Sequence, residues 1–369
     1  MTQYCDSLIV GGGISGLLTA RELAMAGLSV TILEKSAIGQ ESSWAGGGIL
    51  LPIYPWRQPE AISTLVMASL ASYPNLSREL HDATGIDPEW QPCGMLICKN
   101  PDHDTARRWC REHDIEHSTP PPSLLASFDT DYDHPLWLPE VAQARNPRLL
   151  KSLQAFLRQR GVNLIEHCNL IGLETQGRQI TALNTTSQRY VFSHLIVCAG
   201  AWTAPVLQHC LPGSPWAPAV APVRGQMLLF DAEPDTLACM VLDGAHYLIP
   251  RRDGKILAGS SVEHTGFDKR TTTDIRQHLE HFATRLLPAL QHYPISHHWA
   301  GLRPGSPQGI PSIGFHPDFD NLSVNVGHFR NGLVMGPASA RLLADLILKR
   351  PPLLDPAPYA TSLKSIDQV

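Results

Sequence analysis

Two groups of residues in this chain have types and spacing that could do chemistry. The first is Gly11-Gly12-Gly13-Ile14-Ser15-Gly16, followed 18 residues later by Glu34. In such a turn the first glycine permits a tight reversal and the second lets a pyrophosphate approach the backbone. The last lets a helix pack close on the preceding strand. The free N–H groups and positive dipole end of that helix would face the phosphates, and the acid would take ribose hydroxyls. This is the chemistry of dinucleotide capture. The second group is Trp299-Ala300-Gly301-Leu302-Arg303-Pro304-Gly305-Ser306, followed by Gly327-His328-Phe329-Arg330-Asn331-Gly332-Leu333-Val334-Met335-Gly336-Pro337. Arg303 stands between an apolar residue and a proline, on a rigid strand-to-turn element. A planar guanidinium held in that way can grip a carboxylate with two parallel hydrogen bonds.

These residues must be positioned by elements, and the flanking pattern supplies them. Leu8-Ile9-Val10 is a short apolar run of the kind expected in a buried parallel strand. After the glycine turn, Leu17, Leu18, Ala20, Leu23 and Ala24 mark the apolar side of a helix that Gly27 ends. Ser29–Leu33 is the second strand, with Glu34 at its tip. Strand, turn, helix, strand and acid in this order make the glycine motif specific. Glu41–Leu50 reads as a second loop of small residues. Its backbone N–H groups could meet another phosphate or an isoalloxazine edge, which favours FAD over NAD. Asn146-Pro147 opens a helix with Leu149, Leu150, Leu153, Phe156 and Leu157 on one face, and Gly161 closes it. Val162–Ile165 and glycine-turned strands up to Val197 resume the nucleotide domain. Ser193–Trp202 is an apolar strand ending in small residues.

Two insertions separate these parts. Residues 85–142 carry Pro120-Pro121-Pro122 and an acidic loop at Asp129–Asp133. Residues 218–298 hold alternating strands, including a hairpin from Tyr247 to Ala258 that turns at Asp253-Gly254. The expected fold is α/β and α+β: a Rossmann-like FAD-binding domain (1–84, 143–217 and 299–369). An antiparallel-sheet substrate domain, formed by the insertions 85–142 and 218–298, roofs the flavin. Gly327–Gly332 precedes a helix with Leu342, Leu343, Leu346 and Ile347 on its buried stripe. Its first N–H groups would meet the flavin pyrimidine edge, where reduction gathers negative charge.

Composition narrows the class. The chain has 369 residues, 43% hydrophobic and 17% charged, with net charge −5. That suits two joined domains and gives no basic surplus for nucleic acid or a membrane surface. The N-terminal residues lack the charged and apolar regions of a signal peptide, and no run of about 18 apolar residues occurs. Eight scattered cysteines then read as reduced thiols, and a cytoplasmic location is expected. His113-Asp114-Ile115-Glu116-His117 matches the H-x-x-E-H zinc pattern. It sits against Ser118-Thr119 and three prolines, so it reads as a solvated helix end, and no metal is expected.

The two C-terminal motifs resemble the glycine oxidase branch of the D-amino-acid oxidase superfamily, whose members carry GLRPG and GHFRNG in this order and spacing. The resemblance runs from the N-terminal fingerprint to the C-terminal helix, and it is loosest in the middle. It implies an FAD-dependent amine oxidase. The reaction would be oxidative deamination of glycine and other small amino acids or N-methyl amines, such as sarcosine or D-alanine. The products would be an α-keto acid, ammonia or an amine, and hydrogen peroxide from molecular oxygen. The family's role in supplying the glycine imine for the thiazole of thiamine would follow. The alternative is a D-amino-acid or amine dehydrogenase that passes electrons to a quinone.

The expected substrate contacts are Arg303, Tyr247, Arg330, Ile49, Leu51 and Val262. Arg303 and Tyr247 would hold the carboxylate. The expected cofactor contacts are Gly11, Gly13, Ile14, Ser15, Gly16, Glu34, Lys35, Ser42, Ser43, Gly47, Gly48, Ile49, Leu170 and Gly200, with the run His328, Phe329, Arg330, Asn331, Gly332, Leu333 and Val334. His328 reads as a contact, not a proton-transfer group, and no obligatory general base stands out. Some sarcosine oxidases hold FAD through a C-terminal cysteine. Here none follows Cys239, so FAD should be noncovalent. A homo-oligomer is expected.

Overall fold

The computed structural model describes residues 1–214 and 216–361. Its first sheet has eight strands. At its centre Thr2–Val10 lies parallel to both Arg189–Val197 and Val30–Leu33. Leu322–Val326 and Asn163–Ile165 extend the parallel part on either side. Strand alternation divides the core. Ile9 and Ile32 face one way, into a cluster with the helices Ile14–Met25, Glu60–Thr84, Asn146–Gln159 and Gly332–Ile347. Leu8, Val10 and Leu33 face the other way, towards the Leu170–Gln176 and Gln179–Thr185 strands and Leu207 of the Thr203–Cys210 helix. The fold is thus the doubly covered parallel sheet expected of a nucleotide-binding unit.

The second sheet has seven strands, in the order Ile295–Gly305, Ala221–Phe230, Ile256–Gly259, His246–Pro250, Met240–Asp243, Met95–Ile97 and Leu136–Leu138. It is not wholly antiparallel as expected, because Met95–Ile97 runs parallel to Met240–Asp243. That strand arrives from a distant insertion, so no tight hairpin dictates its direction. Leu248 faces the Thr273–Leu286 helix, while Tyr247 and Ile249 on either side face the first sheet. The hairpin turns at Asp253-Gly254, where Gly254 has φ +86°. Arg303's strand spans 295–305, so the proposed domain boundary at 299 falls inside it.

Glu41–Ala45 is a short helix, not the loop expected from its small residues. Glu41 sits in its first turn, Gly46 ends it, and Trp299 Nε1 donates to Ala45 O at 3.1 Å. The C-terminal helix contains Pro337, which cannot donate to the Leu333 carbonyl one turn back. The Tyr73 hydroxyl donates to that oxygen instead, at 2.5 Å. No helix among the described residues is long and apolar enough to cross a membrane.

Candidate active site

The glycine turn closes as its sequence demands. Gly11 has φ +111°, and a Cβ there would lie 2.4 Å from the Cys198 carbonyl oxygen. A Cβ on Gly16 would lie 2.0 Å from Gly11 O. Gly16 therefore brings helix and strand together and lies behind the residues that line the cavity. Gly11, Gly13, Ile14 and Ser15 do line it. The Ile14 N–H donates to Ser43 Oγ at 2.9 Å, and Asn146 Nδ2 donates to Ser43 O at 2.7 Å. The short Glu41–Ala45 helix is thus fastened across the start of the first one.

Glu34 accepts from the Gly12 N–H at 2.8 Å and from the Ser36 N–H at 3.0 Å. Its carboxylate is held beside the glycine turn with lone pairs to spare. Lys35 places its Nζ 3.3 Å from the centre of the Trp202 ring. Burial holds that ammonium below its ordinary value. Glu34, Lys35, Leu170, Gly200 and Trp202 surround this end of the cavity.

The cavity measures about 550 Å³ and passes between the two sheets. At its other end the second sheet presents Arg303, Tyr247, Gly225 and Met227. The Arg303 guanidinium donates through Nη1 to Ser261 O at 3.0 Å and through Nη2 to Ser260 Oγ at 2.8 Å. Among the described residues no carboxylate lies within ion-pair distance of it. The neighbouring Arg224, in contrast, is paired with Glu263 at 2.5 Å. Burial lowers the Arg303 pKa, opposed by the Tyr247 hydroxyl beside it, while the Arg330 charge lowers it further. The guanidinium lies where a side chain on Gly225 would be, with Nη1 and Nη2 both 2.2 Å from the position of that Cβ.

Ile49, Leu51, Ser42, Ser43, Gly47 and Gly48 all line the cavity. So do His328, Phe329, Arg330, Asn331, Gly332 and Leu333; Val334 is buried behind them, in the helix–sheet core. The two C-terminal motifs are tied together, with Phe329 N donating to Pro304 O at 2.9 Å and Ser306 Oγ to Gly327 O at 2.5 Å. His328 is 2% exposed and its Nε2 has no partner among the described residues. Burial pushes its pKa down to about 4, so the ring is neutral at pH 7.

Val262 is the clear departure among the expected pocket walls. It is 48% exposed and lies outside the cavity. Ser260 and Ser261 are turned to Arg303, and Glu263 bridges back to Arg224, so the residue between them points to solvent. The His113–His117 segment lies past the helix His103–Glu112, and Asp114 has φ +53°. Its two histidines therefore do not share a helical face. Sequence reasoning missed Gly225, Asn146, Trp202 and Met227 in the cavity wall. Only the pairing of Gly225 with Gly301 across two strands marks the first of these, and that register is not visible in the chain order.

A dinucleotide fits this arrangement on three observations. The glycine cradle leaves no room for a Cβ, the acid is fixed at its mouth, and a buried unpartnered imidazole nitrogen waits at the far end. A family described as FAD dependent oxidoreductase matches residues 6–346. The chain is similar to a glycine oxidase from Pseudomonas aeruginosa, 44% identical over 362 residues, with 96% of this chain and 97% of that one covered. It is also similar to the bifunctional protein ThiO/ThiG of Trichormus variabilis, 32% identical, covering 96% of this chain and 55% of that one. The solved glycine oxidase of Geobacillus kaustophilus superposes with a TM-score of 0.91 at 25% identity, covering 98% and 99% of the two chains.

Proposed function

The chain belongs to the FAD-dependent oxidoreductase family as an amine oxidase, and from that premise we propose that it deaminates glycine and other small amino acids or N-methyl amines, including sarcosine and D-alanine, with oxygen as acceptor. For glycine the balance is glycine, O₂ and water giving glyoxylate, ammonia and hydrogen peroxide. The observation that carries this reading is Arg303: a half-buried guanidinium facing the cavity, with no carboxylate among the described residues within ion-pair distance of it. A substrate carboxylate would supply the missing anion, by two parallel hydrogen bonds.

In this proposal FAD lies noncovalently along the cavity. Gly11, Gly13, Ile14 and Ser15 present helix N–H groups to the pyrophosphate, and Glu34 accepts from the ribose hydroxyls. Lys35, Leu170 and Gly200 flank the adenosine, while Ser42, Ser43, Gly47, Gly48 and the His328–Leu333 run hold the flavin. Bound FAD would supply the two-electron acceptor for hydride from the substrate Cα, with oxygen as the final acceptor. Arg303 and the Tyr247 hydroxyl fix the carboxylate, and Arg330 adds positive charge at the same end. Ile49 and Leu51 form an apolar wall, so the substrate amine meets little competing water. Positioning carries the rate, and no side chain is required to take the Cα proton.

A panel of amino acids and amines under air, read by peroxide production, tests the reaction. Peroxide with glycine, sarcosine or D-alanine is expected. Substrate that bleaches the flavin, with no recovery in air, would replace the oxidase with a dehydrogenase. Arg303→Ala should raise KM for carboxylate substrates about 10- to 100-fold, from the ~1.5–3 kcal/mol of a charged hydrogen bond. Unchanged KM would remove Arg303 from the site. Acid precipitation should release yellow flavin into solution, since no cysteine follows Cys239. The proposal extends to thiamine biosynthesis, supported by the name of the ThiO/ThiG relative. Failure to restore thiamine-independent growth to a strain lacking this activity would count against that role.

A further inference from the structure

Behind the Gly46–Gly48 turn sits a buried charge that the reaction above leaves unassigned. Arg251 follows the His246–Pro250 strand and is 8% exposed. Among the described residues no carboxylate lies within ion-pair distance of it. The acids whose charge it feels are held by others, Asp253 by Arg145 at 2.9 Å and Glu89 by Arg148 at 3.0 Å. Burying an unpaired cation is costly, and a guanidinium does not escape the cost by losing its proton. Burial lowers its pKa only to about 10.

Its N–H groups go to two neutral acceptors. Nη2 donates to Gly47 O at 2.8 Å, and Nη1 donates to Gln143 Oε1. Gln143 is 2% exposed and is itself fixed, its Nε2 donating to Pro250 O at 2.7 Å. The turn is fastened on its other flank as well, with Ala144 N donating to Gly48 O and Leu50 N to Ala142 O, both at 2.9 Å. Gly47 and Gly48 line the cavity, whereas Arg251 does not. In a trans peptide the C=O and the N–H of one unit point to opposite sides. With the Gly47 carbonyl drawn back to Arg251, the N–H of Gly48 is turned to the cavity side.

We infer that Arg251 is a positioning residue for the oxidation: it aims the Gly47–Gly48 peptide so that the Gly48 N–H donates into the cavity, and its buried charge polarises that peptide against the negative charge a flavin ring gains on reduction. The inference rests on the reading of this cavity as the flavin site. A preorganised dipole of this kind is strongest where water is excluded, as a bound flavin would exclude it from the cavity wall that Gly47 and Gly48 form.

The test uses holoenzyme and two readouts that do not depend on turnover. Sulfite adds to N5 of oxidised flavin and leaves the ring with the charge pattern of the reduced form, so its Kd, read from bleaching of the visible band, reports the same stabilisation. Arg251→Met should raise the sulfite Kd about tenfold and lower the two-electron potential by about 30 mV, the shift that matches tenfold. Arg251→Lys, which keeps the charge but not the fork, should fall between Met and wild type. A sulfite Kd raised threefold or more supports the assignment, and a smaller change overturns it. Should Arg251→Met yield no holoprotein, the same threshold is applied to Arg251→Lys against wild type. Wild-type protein that binds no FAD would instead sink the flavin reading on which the inference rests, whereas a wild-type flavin that ignores sulfite would overturn the inference itself.

Discussion

Arg303 shows how much a single side chain depends on what its neighbours lack. Its guanidinium fits only because position 225 has no Cβ, which would sit 2.2 Å from both terminal nitrogens. Gly225→Ala should therefore push the fork out of register while leaving the strand pairing of Ala221–Phe230 intact. We expect overpacking of about 1–3 kcal/mol. It should be read as a raised KM for glycine with an unchanged flavin spectrum. An unchanged KM would mean that the arginine relaxes without cost. Arg303 was legible in the sequence because GLRPG is a local motif. Gly225 was not, because its constraint comes from Arg303, 78 residues away in the chain (303 − 225) and adjacent only in the sheet. Val262 went wrong for the opposite reason. Its apolar type suggested a wall, but the chain around it is committed to Arg303 and Arg224 and turns it outwards.

Among the elements, the helix Gly332–Ile347 is the one whose position reaches the cavity most directly. Its first turn contributes Gly332 and Leu333 to the wall, and the adjoining His328–Asn331 turn is pinned to Pro304 through Phe329 N. Pro337 frees the Leu333 carbonyl, and Tyr73 of the Glu60–Thr84 helix takes it up at 2.5 Å. Tyr73→Phe leaves that buried oxygen without a donor, at a cost of about 1–3 kcal/mol. The outcome should be a lower Tm together with weaker FAD retention on gel filtration, because the same turn borders the cavity. A lower Tm with full retention would confine the effect to helix packing. Helix boundaries and apolar stripes were readable from the sequence. The donor that completes the helix lies on a different helix, and chain order gives no sign of it.

For the whole molecule, acid should act through its buried histidines, His194 and, in the cavity wall, His328, each pushed down to about 4 by burial. His328 is neutral when folded, with its pKa pushed to about 4, against 6.5 as the ordinary value. The unfolded chain therefore takes up this proton first. Its contribution to stability is fully present above about pH 6.5 and is lost as pH falls towards about 4. At ~1.4 kcal/mol per unit this is on the order of 3 kcal/mol. Thermal melts of the holoprotein from pH 7 to 4 should show that loss, and His328→Gln should make the slope shallower. An identical slope in the variant would mean that the ring is not held neutral by burial. The effect exists only in the folded protein, since burial is what keeps water from this ring.

The sequence by itself determined the nucleotide end of this protein. A strand, a glycine turn, a helix and an acid are contiguous, so steric and dipolar rules acting over a few residues decide their geometry. It also determined the arginine that reaches the cavity and the helix that begins beside it, because each is written in a short local motif. Tertiary structure decided everything that depends on two distant strands meeting. That includes the register that lets Arg303 lie over Gly225, the parallel strand inside the second sheet, the exile of Val262 and the clamp of Arg251 on Gly47. The physical reason is the range of the interactions. Backbone sterics and helix dipoles act between neighbours in the chain, whereas burial and hydrogen-bond satisfaction act between neighbours in space.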